Sequence, residues 1–320
     1  MRTTLIYSGP GEAEPTLLRS AVVLEPTTAD PRWAAAASVA HVVAGVDPST
    51  GVLIRSGTAL LVRFGPLLIR AWEPARSATA HREVVVARTL VAAGVPTVPL
   101  LEPLDQPVVG PGSVLTVWRW LDLEPGVVSP TELGALAGRL RRATAGHHDI
   151  PVFDPLGMIR GLLHTTARPA GAAAAGDLAD LGAMVDEVEP AWVEAARSDP
   201  AGTGVVHGNL HRLNVLRSHE GPVLADLEMA GAGPPSYDSA PAAVAVRRYG
   251  ADPDDLDAFL AASGHDPRPW PGFEVCCRVY ELWVTAWALA GRAATLEVGH
   301  EARIRMASLR GQSDDHWHLH

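Results

Sequence analysis

At 320 residues the chain is long enough for one large domain or two lobes with an ample core. Its net charge of −10 argues against a nucleic-acid backbone as the main partner. The longest apolar run, Leu282–Ala290, is about half of what spans a bilayer, and the stretch after Met1-Arg2 is too short for a secretory signal.

Residues 1–29 hold two strand-like runs, Thr4–Tyr7 and Ala21–Leu24, around Ser8-Gly9-Pro10-Gly11, and read as a small hairpin or an arm. Asp30-Pro31 predicts a helix start, with Asp30 as the cap; an Ala- and Val-rich body runs to Val43, and Gly45 is the stop signal. Three β-like runs follow, Val52–Arg55, Leu60–Phe64 and Leu67–Trp72. The turns between them carry Gly57 and Gly65-Pro66, which predicts an antiparallel meander. A helix is expected from about Thr79 to Ala93, because Glu83, Val86, Ala87 and Leu90 share one face; Gly94 and Pro96 end it. Two more extended runs, Thr97–Leu101 and Ser113–Trp120, complete an expected five-stranded sheet.

After Trp120 the pattern turns helical. Leu133, Leu136, Ala137 and Leu140 form one apolar stripe, and Val275, Val279, Leu282, Trp283, Ala286 and Leu289 form a longer one. The Ala- and Gly-rich stretch Pro169–Asp177 reads as a loop. Cys276 and Cys277 are adjacent, a spacing that strains a bridge, so they read as reduced core thiols of a cytoplasmic protein. The tail Ser313–His320 has three His around a Trp and reads as a frayed terminus.

Between Val205 and Ala240 two polar clusters stand out. One is His207-Gly208-Asn209-Leu210-His211-Arg212-Leu213-Asn214; the other is Asp226-Leu227-Glu228, delivered by a short strand pattern, Pro222–Ala225. Asp226 at the end of an apolar strand is a costly charge unless a metal or another partner meets it. These segments resemble the aminoglycoside phosphotransferase and choline kinase-like family. Its loop usually reads His-Gly-Asp-x-His-x-x-Asn, and its metal-binding Asp segment often runs on through a Gly-Pro stretch to a second Asp, here Asp238. A looser resemblance extends from about Gly51 to Ala290.

The resemblance implies an α+β, two-lobed protein-kinase-like fold: a five-stranded antiparallel N-lobe sheet with one helix, and a mostly helical C-lobe. It divides the chain into an N-terminal arm and helix (1–46), a nucleotide-binding N-lobe (47–121) and a C-lobe (122–320) with the catalytic loop, metal site and acceptor site. The implied cofactors are ATP and Mg²⁺. Arg70, on the third strand, takes the place of the basic residue that holds the phosphates, with Glu83 as its partner. Arg in this role brings a planar fork suited to phosphate. Ser56, Gly57 and Thr58 lie where a phosphate-covering loop belongs, although a plain β-turn fits equally well. Trp118 and Trp120 lie in the run expected to meet adenine, where they also serve as ordinary packing. Asn214 and Asp226 take the metal-ligand positions. His207 is expected to be structural, and Asp238 to tether the loop backbone.

Asn209 departs from the family pattern, standing where the catalytic Asp should be. An amide cannot usefully take the substrate proton, but its oxygen can align a hydroxyl. Three readings stay open: a slow kinase, a kinase with another base such as His211 or Glu228, and a nucleotide- or partner-binding pseudokinase. The expected acceptor is a hydroxyl of a small molecule (an amino sugar or amino alcohol) or of a peptide Ser or Thr, with no nucleic-acid or membrane partner.

Overall fold

The computed structural model describes residues 30–167, 172–291 and 296–318; the hairpin or arm expected within 1–29 lies outside them. These residues form two compact units. One holds 30–128 and 213–230, and the other holds the rest.

The first unit is built on an antiparallel sheet in the order β1-β2-β3-β5-β4, from β1 (Val52–Ser56), β2 (Ala59–Phe64), β3 (Leu67–Trp72), β4 (Val108–Gly110) and β5 (Ser113–Arg119). Alternation along each strand sorts its two faces. Leu60, Val62, Phe64, Leu67, Ile69, Ala71, Leu115 and Val117 form a dry face against α1 (Pro31–Ala44), which contributes Trp33, Ala36, Ala37 and Ala40. That helix begins as its sequence predicts: Asp30 accepts the Arg32 N–H at 2.9 Å, and Gly45 closes the other end in the left-handed region. The opposite face carries Ala59, Leu61, Trp72 and Val114 against Ala80 of α2 (Ser77–Ala92), with Arg70 and Thr116 in the same alternation. On α2 the residues Glu83, Val86, Ala87 and Leu90 are all buried.

The fifth strand is β4, and not the expected Thr97–Leu101 run. Pro99 interrupts that run and has no N–H to give a ladder. The run is tied instead by isolated bridges, Thr97 to Leu224 and Leu100 to Trp118. The strand signal at 108–110 is only three residues long, and the Pro111-Gly112 turn folds it back on β5. A hairpin of β6 (Val215–Ser218) and β7 (Gly221–Leu224) completes this unit, joined to it by the Val98 N–H, which donates to the Leu224 carbonyl at 2.8 Å.

The second unit is mainly helical: α3 (Pro130–Ala143), α4 (Pro155–Ala167), α5 (Ala172–Ser198), α6 (Ala240–Tyr249), α7 (Pro253–Ser263), α8 (Gly272–Gly291) and α9 (Leu296–Leu309), with a short strand pair 204–206 and 231–233. Ser129 and Glu132 cap α3 reciprocally. The apolar stripe of α3 is buried, and α3 meets α7 so closely that a Cβ at Gly134 would lie 2.1 Å from the Phe259 carbonyl oxygen. Cys276 and Cys277 are buried free thiols of α8.

Two expectations fail in this unit. Most of the supposed loop 169–177 belongs to α5, which begins at Ala172; a run of alanines is the strongest helix former, and it outweighs the neighbouring glycines. The described part of the tail, 313–318, is not frayed. Trp317 is 2% exposed, and its backbone N–H donates to the Arg248 carbonyl at 2.7 Å. Its ring meets Tyr249 edge-on at 5.8 Å and lies beside the Arg248 and Arg305 guanidinium groups. Arg305, paired with buried Glu301, also holds the His318 carbonyl at 2.7 Å. Burying a large ring among Tyr249, Arg248 and Arg305 outweighs the entropy of ordering a short polar tail.

Candidate active site

The first unit brings together Arg70, Glu83, Asp226 and Glu228. Arg70 points from the α2 face of β3, paired in register with Leu61 and Thr116. Its Nη1 donates to Glu83 Oε1, and its Nη2 donates to Asp226 Oδ1 at 3.1 Å and Glu228 Oε2 at 3.3 Å. The guanidinium also lies 4.6 Å above the Trp72 ring. Arg70 is 6% exposed and Glu83 1%, so each is the other's buried hydrogen-bond partner. Burial opposes the Arg70 charge, but the carboxylates of Glu83, Asp226 and Glu228 outweigh it and hold its pKa above the usual value. Burial pushes the Glu83 carboxyl up to about 8, with Arg70 pulling against it. Burial and the adjacent Asp226 carboxylate also push Glu228 up.

A polar relay runs along the same face of β5. Trp118 Nε1 donates to Thr116 Oγ1 at 2.9 Å, and Thr116 Oγ1 donates to Glu83 Oε2 at 3.3 Å. Trp118 is thereby linked to the Arg70 cluster. Trp120 is half-buried and turns its ring under Arg63, 4.1 Å from the guanidinium carbon. Ser56, Gly57 and Thr58 form the exposed β1–β2 turn.

Asn214 and Asp226 sit at one end of the β6–β7 hairpin. Val215 pairs with Leu224, and one step on, the Ala225 N–H donates to the Asn214 carbonyl at 2.9 Å. Asp226 then takes φ 60°, the one non-glycine with positive φ among the described residues. Such a conformation persists where the surroundings over-determine it, and such places are often functional. A carboxylate and an amide are oxygen donors, the chemistry a hard divalent cation takes, so these residues fit Mg²⁺.

The second unit holds the loop that carries His207, Asn209 and His211. Asp238 accepts the His207 N–H at 2.8 Å and the Gly208 N–H at 2.9 Å, one on each carboxylate oxygen. Gly208, at φ 81°, makes the bend that aims both groups at it. Burial pushes Asp238 up from its ordinary value, while His207 and the two N–H groups pull it down. His207 is buried, and its Nδ1 accepts the Asn209 N–H at 3.3 Å. Asn209 Oδ1 accepts the Tyr280 hydroxyl at 3.2 Å. His211 is half-buried beyond Leu210, whose side chain is buried.

Thr116 and Tyr280 were missed in the sequence. Thr116 stands two residues from Trp118, on the strand face that Arg70 shares, so period-two alternation was enough to find it. Tyr280 has no such signal, because its ring belongs to the buried stripe of α8 and only its hydroxyl reaches the loop.

Residues 52–274 match the phosphotransferase enzyme family. The chain belongs to that family. Its membership supports an ATP-dependent kinase or phosphotransferase activity at the family level. No curated protein matches the sequence. Among solved structures, the amicoumacin kinase in complex with AMP-PNP, Ca²⁺ and Ami aligns with a TM-score of 0.63 at 14% identity, over 85% of this chain and 92% of that one. The ethanolamine kinase of Plasmodium vivax gives 0.58 at 14%, over 87% and 90%. A choline/ethanolamine kinase family protein from Mesorhizobium loti gives 0.55 at 19%, over 87% and 94%. At these identities the likeness is one of fold: a two-lobed α+β kinase-like fold with a five-stranded antiparallel sheet in one lobe and a mostly helical second lobe. No helix among the described residues is long and apolar enough to cross a membrane.

Proposed function

We propose that this protein transfers the γ-phosphoryl group of Mg-ATP to a hydroxyl of a small amino sugar or amino alcohol, or of a peptide Ser or Thr. The observation that carries the reading is the cluster in which Arg70 joins buried Glu83 to Asp226, beside the hairpin end that holds Asn214. In this reading Arg70, oriented by Glu83, binds the phosphates, and the β1–β2 turn at Ser56, Gly57 and Thr58 adds backbone N–H donors. Trp118 and Trp120 pack about the nucleotide base. Asn214 and Asp226 hold Mg²⁺, which when bound neutralises charge on the phosphates. Asn209 aligns the acceptor hydroxyl, with His211 as a candidate proton acceptor, while His207 and Asp238 keep the loop in shape.

Phosphoryl transfer has a loose transition state in most analyses, so positioning and electrostatics carry much of the rate. Losing a carboxylate base costs roughly two to four orders of magnitude and leaves the rest. A second reading, favoured by Asn209 itself, is a nucleotide- or partner-binding module without turnover. ATP turnover with Mg²⁺ against a panel of amino sugars, amino alcohols and Ser/Thr peptides separates the two. Acceptor-dependent ADP release supports the kinase. ATP binding with no turnover on any acceptor favours the module.

A further inference from the structure

Asn209 is held from several directions within the helical unit. Its own N–H donates to His207 Nδ1, the two N–H groups before it are bonded to Asp238, and its side-chain oxygen takes the Tyr280 hydroxyl at 3.2 Å. Tyr280 is itself fixed. It is buried on α8 and packs edge-on against Tyr237, with ring centroids 6.4 Å apart at 78°. Tyr237 in turn meets Phe153 and Trp192, so the phenol stands on a wall of three other aromatic rings. Burial raises the Tyr280 pKa, which keeps its hydroxyl a proton donor at physiological pH.

We propose that Tyr280 is a positioning residue for Asn209: its hydroxyl fixes the plane of the amide, so that the side chain meets an acceptor hydroxyl in one orientation. This rests on the reading of Asn209 as the residue that faces the acceptor. A carbonyl oxygen has two lone pairs, and the Tyr280 bond takes one of them while setting the direction of the other. A phenol can donate to an amide or to a carboxylate, and the bond to a carboxylate is the stronger because it is charge-assisted. The same hydroxyl would therefore hold a carboxylate placed at position 209 and lower its pKa.

The test uses the full chain carrying Asn209→Asp, with and without Tyr280→Phe, and follows the new carboxyl by NMR titration. The titratable groups around it include His207 from the loop, Asp238 from the 235–239 turn and Tyr280 from α8. Of these only the phenol is lost on adding Tyr280→Phe. The midpoint is expected to rise by roughly half a unit or more when that donor is removed. An unchanged midpoint overturns the proposal. Should the carboxylate variant not fold, the side-chain amide resonance of Asn209 reads the same bond in the otherwise native chain. It should move on Tyr280→Phe, and a resonance that stays in place again overturns the proposal. With an acceptor in hand, Tyr280→Phe should lower kcat roughly tenfold and leave the KM for ATP unchanged, because misalignment of an acceptor group is a rate defect. A rise in KM for ATP with kcat intact overturns the positioning role. A shifted titration with no turnover in any variant upholds the hold on Asn209 and defeats the phosphotransfer reading.

Discussion

Arg70 and Asp226 are 156 residues apart in the sequence and 3.1 Å apart in space, Nη2 to Oδ1. The same nitrogen reaches Glu228, while Nη1 holds Glu83, so one guanidinium bonds three carboxyl groups. Any cation bound at Asp226 must share that carboxylate with Arg70. Nucleotide and metal would therefore rearrange the cluster together: phosphate gives the guanidinium a new partner as the metal takes its old one.

Asp226→Ala is expected to abolish the rise in melting temperature that Mg-ATP gives the native chain. A thermal shift of undiminished size in that variant would remove Asp226 from the metal site.

Arg70→Ala should weaken ATP binding more than Arg70→Lys, because lysine keeps a point charge for the phosphates. Arg70→Ala also leaves the buried Glu83 carboxyl without its donor, a defect of roughly 1–3 kcal/mol for an unsatisfied buried polar group. Calorimetry that finds equal affinity in the two variants takes Arg70 out of the binding site. Equal stability of the Ala variant and the native chain would refute the dependence of Glu83 on it.

The Glu83 carboxyl is pushed up from an ordinary 4.5 to about 8 in the folded chain. The folded state thus keeps a proton that the unfolded state releases. The contribution is full below the unfolded value, falls as pH rises, and is lost above about 8. Glu83→Gln should flatten that decline between pH 5 and 8. Melting curves with the same slope in both proteins would contradict it.

Trp317→Ala should destabilise the helical unit by about 3–5 kcal/mol, the range for emptying a buried aromatic site. Chemical denaturation showing a loss under about 1 kcal/mol would mean that the tail contributes little to the core.

Asn209→Asp should raise turnover by roughly ten- to a thousand-fold, the lower part of the range for general-base help and just below it. ATP affinity should change little. A fall in an existing activity would make the amide itself part of the mechanism.

Much of this was legible in the sequence. The meander 52–72 follows from alternation and its Gly turns. The burial of Glu83 follows from its place on the apolar face of α2, and its meeting with Arg70 adds a cross-element contact that the face-sharing made plausible. The rest failed for physical reasons. The fifth strand is three residues long, too short for periodicity to register, while the more conspicuous Thr97–Leu101 run is spoiled by Pro99. The alanine run at the start of α5 was outvoted by flanking glycines. Trp317 sat among polar neighbours, and its burial depends on a hole formed by Tyr249, Arg248 and Arg305, which local sequence does not encode. The Tyr280 hydroxyl is invisible for the same reason: a core-facing stripe does not say which of its rings ends in a useful oxygen.

The hairpin 215–224 belongs to the unit of the sheet, although the chain reaches it only after building α3, α4 and α5 of the other unit. Neither unit is therefore a continuous stretch of chain. During synthesis the sheet would emerge with Arg70 and Glu83 in place but without Asp226, Glu228 or the strand end that Thr97 and Val98 bond to. Its last contacts must wait for residues that leave the ribosome much later, and loop closure over such a separation is slow. A fragment cut at residue 128 would keep the Arg70–Glu83 pair and lose Asp226 and Glu228. Expression of the sheet as a separate piece with its cluster complete would need the 213–230 segment grafted back onto it.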